Sequence, residues 1–153
     1  AAQQGRTGAL DDAAANDGFN LVTQQTAEWN AEKAQQIVQS VIDAGTPFNV
    51  IYAENDDMAK GAVAALDKAN ISHGVGKDVI VMGFDCNKWA LEELKAGNWN
   101  YDGQCNPFQA SYIDEIIKKL ENGETISEKT IIMDEKGFDA TTITQEDVDN
   151  YGI

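Results

Sequence analysis

Apolar positions in this chain follow two alternating rhythms. Continuous or nearly continuous apolar runs at Phe19–Gln24, Phe48–Ala53, Val79–Phe84, Trp99–Cys105 and Thr130–Met133 read as strands. Between them apolar side chains recur every three or four residues. Ala34, Ile37, Val38, Val41 and Ile42 share one helical face in 31–44, and Met58, Ala62, Ala65, Leu66 and Ala69 do so in 56–69. In 108–121, Tyr112, Ile113, Ile116, Ile117 and Leu120 are expected to face inward, with Pro107 at the first turn and Gly123 at the end. The Ala-rich stretch 3–16 is helix-prone, 88–96 is a short helix stopped by Gly97, and 144–150 is a short helix in a polar tail. Strands alternating with helices predict an α/β fold, a doubly wound and mostly parallel sheet with helices on both faces. Val79–Phe84, apolar throughout, suits a strand buried on both sides. No linker is long enough to divide two domains, so 1–138 is read as one body and 139–153 as its tail.

The polar residues that punctuate the strands hold the chemistry. Glu54-Asn55-Asp56-Asp57 follows one strand, Asp85 ends the next, and Gln104 lies at the end of a third. Open α/β sheets bind small ligands outside these carboxyl ends. Asn55 or Asp56 can cap the helix that begins there, Asp56 being the better candidate. Trp29 follows Phe19–Gln24 in a loop, off any apolar stripe.

Three motifs occur in order: Ala53-Glu54-Asn55-Asp56-Asp57-Met58-Ala59-Lys60-Gly61-Ala62, then Val81-Met82-Gly83-Phe84-Asp85, then Gln104-Cys105-Asn106-Pro107. They resemble the A-[QEH]-N-D-[ED]-M-A/V-x-G-A and V-x-G-F-D patterns of type I periplasmic sugar-binding proteins of bacterial ABC importers, of the ribose and galactofuranose kind. The resemblance runs over essentially the whole chain but covers only the C-terminal lobe of that family. It implies a flavodoxin-like lobe, incomplete at its start, that binds a monosaccharide, a pentose or hexose, in a cleft shared with an N-terminal lobe and is offered to a membrane permease. It implies no catalysis and no cofactor, and an extracytoplasmic setting with lipid anchoring through the missing start as one form. By position it assigns Trp29 as the aromatic that stacks on the sugar, and Asn55 and Asp85 as polar contacts. Phe84 is either ligand-facing or core. Arg6 supplies the basic contact if a local shift places it where the family carries an Arg. Gln104 and Cys105 point to opposite sides of a strand, and Gln104 is preferred because it makes directional hydrogen bonds. The family's sheet order places a further strand between 19–24 and 48–53. The effector domain of a LacI-type transcription regulator shares the fold and is the alternative.

Composition narrows this further. The 153 residues carry 26 acidic and 11 basic side chains, a formal charge of −15, which repels phosphate backbones and argues against nucleic-acid partners. No apolar run approaches membrane-spanning length and no signal peptide is evident. The start, Ala1-Ala2-Gln3-Gln4-Gly5-Arg6, reads as the interior of a longer chain. The single His73 and the two cysteines fit no zinc motif. Cys86 and Cys105 are either two buried free thiols or, in an oxidising setting, a disulfide between neighbouring strand ends. Trp89 and Trp99 are expected to pack. No nucleophile triad or phosphate loop is present, and the Asp56–Asp85 pair has no feature that marks it as a glycosidase pair.

Overall fold

The computed structural model describes residues 2–153. Its elements are α1 (Ala2–Asn16), α2 (Ala31–Asp43), β1 (Val50–Tyr52), α3 (Asp56–Lys68), β2 (Ile80–Asp85), α4 (Lys88–Lys95), β3 (Tyr101–Gln104), α5 (Ala110–Glu121), β4 (Gly137–Asp139) and α6 (Gln145–Tyr151). The sheet order is β1-β2-β3-β4; the first three strands are parallel and β4 runs antiparallel to β3. The α/β reading holds.

Burial explains why these elements form. Leu66, Val79, Val81, Leu91, Leu94, Trp99 and Val148 are fully or almost fully buried and make one core between the sheet, α3, α4 and α6. Within β2, Val81 and Gly83 lie on the buried face, while Ile80 and Met82 lie on the less covered one, so this strand is not sealed on both sides as its composition suggested. Helix α2 lies close against α3. A Cβ on Gly61 would stand 2.0 Å from the Ala31 carbonyl oxygen, so only glycine permits this approach. Trp89 and Trp99 pack edge to face at 5.9 Å, as expected of packing residues.

Four expectations change. Phe19–Gln24 is not a strand: it runs without a sheet partner, separated from β1 by a groove of about 580 Å³ that both segments line. An extended segment becomes a strand only when a neighbour takes up its backbone hydrogen bonds, and the groove stands between them. Thr130–Met133 is not a strand either. It lies on an arm, residues 105–135, whose helix α5 has no buried residue. The inward packing expected of Ile113, Ile117 and Leu120 is therefore absent, because α5 stands clear of the sheet. The tail 139–153 holds the short helix α6 and packs on the body. Val148 is fully buried, Tyr151 packs on Phe138, and Ile153 exchanges backbone hydrogen bonds with Cys86 and Lys88. Both cysteines are free, but only Cys86 is buried; Cys105 sits exposed at the root of the arm.

Candidate functional site

Strands β1, β2 and β3 deliver their polar ends to one rim, and α1 brings a cation to it. Arg6 donates through Nη2 to Asp85 Oδ1 at 2.9 Å and through Nη1 to the Glu54 carbonyl. Its guanidinium lies 4.7 Å from the centre of the Phe84 ring, a cation–π arrangement. Phe84 meets Tyr52 edge on at 5.3 Å, and the Tyr52 hydroxyl donates to the Arg6 carbonyl at 3.0 Å. Thr7 Oγ1 donates to the Glu54 carboxylate. Burial first, then the Glu54 charge, raises the Tyr52 phenol above its ordinary range, so it stays a donor at neutral pH.

The backbone at this rim is unusual. Asp85 has φ 112° and Cys86 φ 60°, and in the loop before α2 Glu28 and Trp29 have φ 52° and 60°. Non-glycine residues there cost roughly 1–3 kcal/mol each, so the surroundings must hold them. For Asp85 the hold is visible in the Arg6 bond on one side and the Asn87 bonds to Asp56 on the other. Trp29 is 45% exposed and lines the groove together with Tyr52 and Glu54. Arg6, Phe84 and Asp85 are not among the residues that line this groove.

Asn55, not Asp56, caps α3: its Oδ1 accepts from the Met58 N–H at 2.9 Å. Its residue is 8% exposed, and its Nδ2 makes no hydrogen bond among the described residues. Asp56 is instead fully buried beneath the rim, beside Asp102. Gln104 ends β3, but its Oε1 accepts from the Lys136 N–H at 3.2 Å and ties the root of the arm. Arg6, Phe84 and Asp85 are thus brought together; the N-cap Asn55 follows Glu54, whose carbonyl Arg6 bonds; Gln104 pairs with Asp85 across the sheet; and Trp29 lies on the groove.

Thr7, Tyr52, Glu54 and Asp102 escaped the sequence reading. Glu54 was visible within the Asn55 motif, and Asp102 was an acidic residue in the middle of a strand. Thr7 and Tyr52 carried no signal that spacing could expose.

The Arg6–Asp85 pair sets a forked donor beside a two-oxygen acceptor, with the Phe84 ring as an aromatic surface against the guanidinium. Neighbouring hydroxyls of one small ring can use donor and acceptor together. Among the described residues no group of His, Cys, Asp and Glu side chains could hold a metal ion, and no helix is long and apolar enough to cross a membrane.

Residues 1–125 match the family described as periplasmic binding protein domain. The chain is 31% identical over 132 residues to a fructose import binding protein of Bifidobacterium longum, covering 85% of this chain and 38% of that protein. It is 32% identical over 81 residues to a ribose import binding protein of Bacillus subtilis, covering 53% of this chain and 25% of that one. Among solved structures, a periplasmic solute binding protein of an ABC transporter from Actinobacillus succinogenes with bound D-allose superposes with a TM-score of 0.75 at 30% identity, over 94% of this chain and 48% of that one. The chain therefore spans less than half the length of these relatives.

Proposed function

Since the chain belongs to the periplasmic binding protein family, we propose that it is the C-terminal lobe of the solute-binding component of a bacterial ABC sugar importer. The ligand is a monosaccharide, a pentose or hexose, held at the rim formed by Arg6, Asn55, Phe84 and Asp85, with Trp29 covering its C–H face. The observation that carries this is the Arg6–Asp85 pair over Phe84 at the carboxyl ends of parallel strands. Gln104 contributes through its amide nitrogen, its oxygen being engaged with Lys136.

Two further features support one lobe of a two-lobed protein. The arm leaves at Gln104 and returns at Lys136, joined at its root by the Gln104 N–H to Lys136 carbonyl bond at 2.8 Å. Its apolar residues are uncovered, Phe108 at 67% and Ile132 at 88% exposure. We assign this arm to the N-terminal lobe, whose closure over the sugar completes the cleft. A permease then receives the closed form outside the cytoplasm. The relatives named above are import binding proteins, which favours transport over the effector domain of a LacI-type regulator.

Isothermal titration of the full-length protein with ribose, fructose, allose and galactose tests the reading. Micromolar or tighter binding of one of them is expected. No heat from any, in a protein with a cooperative melt, would overturn it. The isolated chain holds one side of the cleft and is expected to bind weakly or not at all.

A further inference from the structure

Below the rim lies a second pair of carboxyl groups that sugar contact does not use. Asp56 at the start of α3 and Asp102 in β3 are both fully buried. Gly83 makes their meeting possible. It pairs with Asp102 across the sheet, and a Cβ on it would stand 2.7 Å from Asp56 Oδ1. Asp56 Oδ2 accepts two hydrogen bonds from Asn87, from its backbone N–H at 2.8 Å and its Nδ2 at 3.1 Å. Asp102 Oδ1 faces the Cys86 thiol at 3.8 Å. The remaining oxygens, Asp56 Oδ1 and Asp102 Oδ2, find no donor among the described residues.

Both side chains converge on Gly83: Asp102 is its partner across the sheet, and Asp56 Oδ1 enters the space its missing Cβ leaves open. Two ionised carboxylates cannot bond, and no lysine or arginine pairs with either among the described residues. We infer that Asp56 and Asp102 share one proton, carried on Asp102 Oδ2 and donated to Asp56 Oδ1, and that this pair positions the turn bearing Asp85. The proton belongs on Asp102 because two strong N–H donors already favour charge on Asp56, whereas Asp102 receives only Cys86. The carboxylate so fixed grips Asn87 and holds Asp85 and Cys86 at their positive φ angles.

The electrostatics agree. Burial first, then the Asp56 charge and hydrogen bond, push Asp102 up to about 8, against the pull of Cys86. Burial first, and the Asp85 charge, raise Asp56 against the pull of Asn87. Cys86 is pushed upward by burial and by Asp102, Asp56 and Asp85, so it stays a thiol. The titratable groups facing the pair are therefore Asp85 and Cys86 at the end of β2; Asn87 and Trp99 complete its surroundings without charge.

The sign of the pH effect follows. A carboxyl raised in the folded state binds a proton that the unfolded chain releases near pH 4. Its stabilisation is full below that value and is lost as pH rises through about 8. Infrared spectra in heavy water at about pH 6 should contain a protonated carboxyl C=O stretch that disappears above about pH 9. Asp102→Asn keeps a donor toward Asp56, so it should fold, lack the band, and hold its Tm where the wild type declines between about pH 5 and 9. Asp56→Asn, able to donate to an ionised Asp102, should lose the band as well, which covers failure of the first variant to fold. Absence of the band from the wild type overturns the shared proton. Persistence of the band in Asp102→Asn, or an unchanged Tm slope there, overturns its assignment to Asp102.

Discussion

Arg6 serves the rim from a helix that has no buried residue of its own, so its position depends on partners rather than on packing. It is tied by Asp85, Glu54 and Phe84, and its own carbonyl by Tyr52. Trp29 is the opposite case, half-exposed and free to meet a ligand. In the full-length protein, Trp29→Ala should weaken sugar binding by roughly 2–4 kcal/mol through lost ring contact in a desolvated cleft. The melting curve should barely move, because the ring is outside the core. Titration calorimetry decides it, and unchanged affinity with a normal melt would remove Trp29 from the site.

At the scale of elements, the α2–α3 contact and the α5 arm make contrasting demands. Gly61→Ala would drive a methyl group into the backbone of Ala31, which cannot yield as a side chain can. A loss of about 1–3 kcal/mol is expected from this overpacking, read as a lower urea midpoint. A gain would mean that helix propensity outweighs the contact. The apolar face of α5 gives a two-part test of the second lobe. In the isolated chain Ile117→Ala should change stability by no more than about 0.5 kcal/mol, since the side chain is exposed. In the full-length protein it should cost roughly 2–4 kcal/mol if the other lobe covers it. Equal, small effects in both would show that the arm is not buried there.

For the whole molecule, net charge sets a general term. At −15 the folded chain repels itself more strongly than the expanded one. Raising salt from about 0.01 M to about 0.15 M shortens the Debye length to about 8 Å and should raise the Tm. Scanning calorimetry at neutral pH checks this; a constant or falling Tm would mean that local ion pairs such as Arg6–Asp85 outweigh the overall repulsion.

The amino-acid pattern by itself determined the helices from α1 to α6, the three parallel strands and the lobe they build. Helices α2, α3 and α5 are marked by local periodicity and α1 by its alanine content, and glycines such as Gly97 and Gly123 that act within a turn bound α4 and α5. Asp85 was legible for the same reason, because it ends an apolar strand in a recognisable motif. Tertiary structure alone decided whether Phe19–Gln24 became a strand, since that depends on a neighbour across the groove. It also decided that Asn55 caps α3 while Asp56 goes beneath the rim. The two residues are adjacent and chemically similar, and only the opening over Gly83 distinguishes them. The exposed face of α5 follows the same logic: its periodicity predicts an apolar stripe but not what covers it. Spacing along a chain records which side chains share a face, whereas the identity of the opposite surface is set by contacts distant in sequence.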